Sequence, residues 1–190
     1  SMVGMLAVNV SGFLTFWIMF QSFPSINGWN FYEMMFLYGF TLLAISADQL
    51  FFDNNWDLRF QLYNGNFIIY NLRPINTFFY YISSVFDTKG LGQLAFGIVM
   101  LVYAWVKLEL AFSFLILLKF IVVLAAASLF MVALINAAAA TGFWIMNSGM
   151  LLVFVSRFKE YAKYPTSIFT GFFRIVFTFI IPIAFVAFYP

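Results

Sequence analysis

The chain contains no cysteine and no histidine, and only 8% of its 190 residues are charged. Without cysteine these residues offer no disulfide framework, thiolate nucleophile or thiolate-ligated metal. Without histidine the commonest general base and metal ligand are missing as well. The net charge of +2 is too small to indicate nucleic-acid binding. We therefore expect no catalytic residue, no metal, no cofactor and no nucleic-acid partner.

What the chain has in excess is apolar side chains. Hydrophobic residues make up 65% of the sequence, aromatic residues 23%, and the mean hydropathy is +0.99. Soluble domains carry roughly 25% charged residues, about three times the fraction found here. The composition therefore indicates an integral membrane protein, with membrane lipid as its surroundings.

The apolar residues form long runs separated by short polar stretches. A bilayer core of roughly 30 Å needs about 20 apolar residues per spanning helix. Four runs reach or approach that length: residues 2–20, 31–52, 91–106 and 111–140. Two weaker runs, 142–155 and 167–189, are interrupted by polar residues, glycine or proline. The pattern predicts an all-α, polytopic membrane protein with about five to six transmembrane or re-entrant helices.

The connection between the second and third runs, residues 53–90, is too long and too polar for a simple turn. It contains Asp53, Asp57, Arg59, Arg73, Asp87 and Lys89, whereas residues 21–30 contain neither lysine nor arginine. Because lysine and arginine are enriched in cytoplasmic loops, we predict that the connection is cytoplasmic and that the 21–30 turn is external.

A second basic group lies later in the chain and leaves part of the topology open. It consists of Arg157, Lys159, Lys163 and Arg174. If the fourth and fifth runs both span the membrane, this group lies outside, against the usual charge bias. If the fifth run inserts only partly, the group lies inside.

Two further features have two interpretations each. Asp48 lies inside an apolar run, four residues before Phe52, so it is either interfacial or faces an aqueous path through the bundle. The alanines of residues 125–140 favour close helix contacts, either within the chain or at a seam between two subunits. Glu33, near a predicted helix start, would complement the helix dipole.

Two blocks of sequence resemble a known family. The first runs from Gly65-Asn66-Phe67 to Leu72-Arg73-Pro74, and the second from Tyr164-Pro165 through Phe169 and Arg174 to Pro182. Their order and spacing, together with Gly28-Trp29 before the second run, resemble the permease subunits of ABC-2-type exporters. In that family the first block is a cytoplasmic coupling helix and the second belongs to the segments after the fifth span. An acidic residue often follows the loop glycine there, whereas this chain has Asn66.

The resemblance implies a bacterial plasma-membrane permease that works with a separate ATP-binding subunit and a second permease subunit, identical or related. Its coupling residues would be Gly65, Phe67, Tyr70, Leu72, Arg73 and Pro74. The chain would be one transmembrane permease domain over residues 1–190, a fragment without an N-terminal interfacial segment and a last transmembrane helix. Residues 166–189 would form an external re-entrant hairpin, although a single kinked spanning helix fits the sequence equally well.

Two other classes of function are open at this stage. An ATP-independent transporter or channel would need polar residues at mid-membrane, and few are evident in the sequence. An intramembrane enzyme would need clustered catalytic groups, and Glu33, Asp48 and Glu109 do not cluster by spacing. The chain also lacks a G-x-x-x-x-G-K-[ST] phosphate-binding loop, so ATP-driven transport would require another chain.

Overall fold

The computed structural model describes residues 2–145, 149–168 and 171–172, and in these ranges the chain is helical. Its only strand-like pairing there is an isolated bridge between Ile26 and Trp29. The described α-helices are α1 (Met2–Ser22), α2 (Phe31–Phe51), α3 (Leu58–Tyr63), α4 (Ile68–Asn71), α5 (Thr77–Ser83), α6 (Lys89–Lys107), α7 (Phe114–Ala140) and α8 (Gly149–Lys159). The prediction of an all-α polytopic protein is confirmed.

Among the described residues, four helices are long and apolar enough to cross a bilayer: α1, α2, α6, and α7 with the 3-10 turn that extends it to Phe143. They coincide with the four long apolar runs of the sequence. A helix suits this setting because it satisfies its backbone hydrogen bonds internally, where no water can do so. The chain is therefore a multi-pass membrane protein.

The helices run between two ends of a bundle. At one end, which we call the turn end, the Phe20 and Phe31 rings lie 5.5 Å apart across the 23–30 turn. At the other end, the connection end, Met2 packs against Gly92 of α6. The connecting segment, residues 52–88, joins α2 to α6 at this second end.

Helix α2 begins at a fully formed cap. The side chain of Asn30 accepts a hydrogen bond from the Glu33 amide, and the Glu33 carboxylate accepts one from the Asn30 amide, both at 2.9 Å. This capping box satisfies two amides that would otherwise have no partner in the first turn. The predicted position of Glu33 at a helix start is confirmed.

Helices α2 and α6 form the closest pair, and glycines make the approach possible. A Cβ atom on Gly39 would lie 2.9 Å from the backbone nitrogen of Leu101. One on Gly97 would lie 3.1 Å from the Cβ of Leu42. Small residues at such contacts let backbones pack tightly in lipid, where no hydrophobic force pulls helices together.

Residues 149–168 form a fifth crossing, antiparallel to α2. Leu152 packs near the connection end with Leu58, while Ala162 packs at mid-bundle with Ile45. Ser167 then accepts a hydrogen bond from the indole nitrogen of Trp29 at the turn end, at 3.0 Å. The crossing consists of α8, the 3-10 turn Glu160–Lys163, an extended Tyr164, buried Pro165 and a final 3-10 turn, Thr166–Ile168.

A buried ion pair fixes this crossing against α2. The Lys159 ammonium lies 2.7 Å from the Asp48 carboxylate, and the two residues are only 6% and 4% exposed. The Thr41 hydroxyl adds a hydrogen bond to the carbonyl of Ala162, at 3.0 Å. Asp48 thus faces the interior of the bundle, one turn before the end of α2.

Three members of the second basic group lie in helical segments. Arg157 and Lys159 are on α8, and Lys163 is in the 3-10 turn that follows. Arg174 lies outside the described residues. So do the residues beyond 172, on which the choice between a hairpin and a kinked helix for residues 166–189 depends. The buried alanines of α7, Ala127, Ala138 and Ala139, pack within the chain.

We expect Gly39→Ala to destabilise the protein by about 1–3 kcal/mol, because the new methyl group would overlap the Leu101 backbone, which cannot rotate away. The measurement is the thermal unfolding midpoint in detergent. Val99→Ile, which enlarges a lipid-facing side chain on α6, is the matched control and should leave the midpoint unchanged. Equal midpoints for the two variants would show that the glycine contact is looser than described.

We expect Asp48→Leu and Lys159→Met each to cost about 3–5 kcal/mol, because either change leaves a buried charge without its partner. The double variant should recover most of this loss, since it leaves no buried charge. The measurement is a double-mutant cycle on the unfolding free energy. Additive losses in the double variant would contradict the assigned pairing.

Candidate functional site

A three-residue ion cluster joins the two ends of the connecting segment. The Lys89 ammonium lies 3.0 Å from Asp53 and 2.8 Å from Asp87, and the Asp87 amide donates to the Leu50 carbonyl. Hydrogen bonds from Lys89 lower the pKa of Asp87. Burial raises the pKa of Asp53, against the opposing effect of Lys89. The cluster holds the end of α2 beside the start of α6.

A second set of hydrogen bonds joins the start of the connecting segment to α5. The Tyr81 hydroxyl donates to the Asn54 carbonyl at 2.6 Å, and the Asn54 amide group donates back to the Tyr81 carbonyl. Tyr81 is buried, and burial raises the pKa of its phenol. Asn55 extends the network to Asn136 of α7, at 3.2 Å. These reciprocal bonds make the segment part of the bundle.

Two aromatic residues of the predicted coupling block anchor the short helix α4. The ring of Phe67 lies 5.7 Å from Tyr81 and 5.2 Å from Phe143. The ring of Tyr70 lies 5.2 Å from Tyr81 and 5.3 Å from Tyr80. Because residues three apart share one helix face, Phe67 and Tyr70 together form the inward face of α4.

The opposite face of α4 is apolar and exposed. Ile68, Ile69 and Leu72 are 59%, 53% and 75% exposed, and we call these three residues the exposed strip. They stand on a segment whose other side is fixed by ring contacts. An apolar face that is both rigid and unburied within its own chain is typical of a surface that packs on something else.

The two ends of this block have distinct geometry. Gly65 has a φ of +72°, a left-handed conformation that disfavours any residue with a Cβ, and nothing lies within 4 Å of where that atom would be. Past α4, the Arg73 guanidinium lies 5.0 Å from the centre of the Tyr80 ring. Pro74 is exposed between Arg73 and α5, where its ring restricts Arg73 to extended conformations.

The structure therefore brings the six predicted coupling residues into one compact unit, in which they occupy different positions. Phe67 and Tyr70 point inward, Leu72 points outward, and Gly65, Arg73 and Pro74 shape the ends. Helix α4 itself is only four residues long, shorter than the whole Gly65–Pro74 block.

Of the second predicted block, only the start lies in the described residues. Tyr164 packs against the cluster that contains Phe16, Met34 and Tyr38, and Pro165 is fully buried. This break in the helical path thus sits inside the protein, where irregular backbone is shielded from lipid. Phe169, Arg174 and Pro182 lie outside the described residues.

Sequence reasoning missed several residues that build this unit. The anchoring partners Tyr81, Asn54 and Phe143 come from three separate stretches, and no local motif links them. Ile68 and Ile69 were visible only as two apolar residues in an otherwise polar connection. That contrast is the signal that could have identified the exposed strip.

Comparison with known proteins identifies the family. A family model described as "ABC-2 family transporter protein" matches residues 6–190. No curated protein and no solved structure gives a significant match. Since the family match covers nearly the whole chain, and since the described helices form a multi-pass membrane bundle, the protein belongs to the ABC-2 family of transporter proteins.

Proposed function

We propose that this protein is the permease subunit of an ATP-driven exporter in the plasma membrane, and that its connecting segment binds a separate ATP-binding subunit. Two permease subunits, identical or related, would form the translocation pathway. ATP hydrolysis would occur on the partner chain, and the connection end of the bundle would face the cytoplasm.

The observation that carries the proposal is the exposed strip on a rigidly held helix. A docking surface must present apolar contacts outward, and Ile68, Ile69 and Leu72 do so. It must also transmit displacement, which the ring contacts of Phe67 and the bonds between Tyr81 and Asn54 allow. Family membership supports the same assignment, because a transporter of this class uses an ATP-binding partner.

Transmission would follow the contacts from the strip to the bundle. A force on α4 reaches Tyr81, then Asn54 at the end of α2, and Phe143 at the end of α7. The energy would come from tighter ATP binding by the closed form of the partner, since a ligand shifts an equilibrium only through such a difference in affinity.

The rival function, an ATP-independent transporter or channel, gains one observation from the structure. Asn9, Asp48, Gln93 and Lys159 are all buried polar residues inside the bundle, more than the sequence suggested. Polar residues within a membrane bundle often mark transport pathways. The two functions differ in whether a specific ATPase binds.

We expect Leu72→Asp to weaken binding of the ATP-binding subunit by about tenfold or more, because a carboxylate would enter an apolar interface. The measurement is the yield of that subunit when it is co-purified with the full-length protein. Phe112→Asp, at an equally exposed position in the turn between α6 and α7, is the control and should retain binding. Full retention by the Leu72 variant would leave the ATP-independent function as the better account.

We expect Gly65→Ala to reduce the same affinity by about fivefold, because a left-handed conformation costs an L-residue about 1 kcal/mol. Gly65→Asn should perform better than Gly65→Ala, since asparagine tolerates this conformation. Because the space around Gly65 is open, size alone cannot explain such an order. The measurement is a titration of the ATP-binding subunit onto immobilised full-length protein, and the reverse order would contradict the conformational role.

A further inference from the structure

A half-open cavity of about 620 Å³ lies at the connection end of the bundle, separate from the connecting segment's exposed strip. Its walls come from α1, the last turn of α2, the start of the connecting segment, the start of α6 and the fifth crossing. Most of its lining side chains are polar, including Asn9, Gln49, Gln93 and Ser156. The volume is within the range of small-molecule sites, roughly 300–1,000 Å³.

Buried polar atoms without a hydrogen-bond partner are concentrated at this cavity. Among the described residues six such side-chain atoms occur, and four belong to its lining: Asn9 Nδ2, Asp48 Oδ1, Gln49 Oε1 and Ser156 Oγ. Asn9 and Asp48 are only 2% and 4% exposed. Leaving a buried polar group unsatisfied costs about 1–3 kcal/mol, so a cluster of them indicates a site that a ligand completes.

The lining of the cavity carries three carboxylates and four cations. Its three carboxylates each have a lysine partner: Asp48 with Lys159, Asp53 with Lys89, and Glu160 with Lys163. The remaining cation, Arg157, is exposed. A cationic ligand would therefore find no free carboxylate charge, and an anionic one would meet two buried acceptor oxygens.

Apolar side chains complete the lining, among them Phe52 and Trp56 at the start of the connecting segment. They offer a surface for a hydrocarbon part beside the unsatisfied polar atoms. We propose that this cavity binds the neutral polar end of an amphipathic molecule, one that carries hydroxyl or amide N–H donors. Its donors would satisfy Asp48 Oδ1 and Gln49 Oε1, and its oxygens would accept from Asn9 Nδ2.

The test uses the full-length protein in lipid nanodiscs and three photoreactive probes with the same diazirine-bearing dodecyl chain. Their head groups are a glycerol ester with two free hydroxyls, a methyl ester without donors, and a trimethylammonium. Crosslinked peptides are mapped by mass spectrometry. We expect the glycerol ester to label the cavity segments of α1 and α8 well above the other two probes.

Two variants that leave the charge unchanged test single hydrogen-bonding groups of the cavity. Gln49→Met and Ser156→Ala should each reduce cavity labelling by the glycerol ester about fivefold, since each removes one hydrogen-bonding group. Gln21→Met makes the first substitution at the exposed end of α1, away from the cavity, and should change nothing.

Equal labelling by all three probes would overturn the proposal, because it would show apolar occupancy without recognition of the head group. Strongest labelling by the trimethylammonium probe, or labelling confined to lipid-facing positions, would overturn it as well. No nucleotide or ATP-binding subunit is present in this experiment. Its outcome is therefore independent of whether the exporter proposal holds.

Discussion

Burying a charged pair inside a membrane bundle is the constraint on which the rest of this structure depends. The desolvation of Asp48 and Lys159 is repaid only while the two side chains stay in contact and shielded from lipid. That requirement places the fifth crossing against α2 in one register. With the register fixed, Ala162 meets Thr41 and Ser167 meets Trp29, so each later contact follows from the first.

The same contact explains how an irregular segment can cross the bundle. The path from Glu160 to Ile168 changes from helix to 3-10 turn to extended chain, which bare lipid would not tolerate. Here Tyr164 packs against a cluster built from α1, α2 and α6, and Pro165 is fully buried. The ion pair with α2 thus holds in place a segment whose backbone is irregular.

The number and position of the long helices could be read from the sequence because hydrocarbon thickness sets a length that composition reveals. The glycine and proline of the coupling block could be recognised because each restricts the backbone locally. The pairing of Asp48 with Lys159 could not, since the residues are 111 positions apart and their contact depends on the packing of two crossings. The roles within the block were equally hidden: whether Phe67 or Ile68 faces inward depends on Tyr81 and Phe143, which are distant in sequence.

The glycine contact between α2 and α6 has a mechanical consequence. Where backbones touch, as at Gly39 and Leu101, neither helix can slide along the other without collision. The ion cluster at Lys89 joins their connection-end tips. The two helices thus form one packed unit, so a force applied at the connecting segment would act on both together.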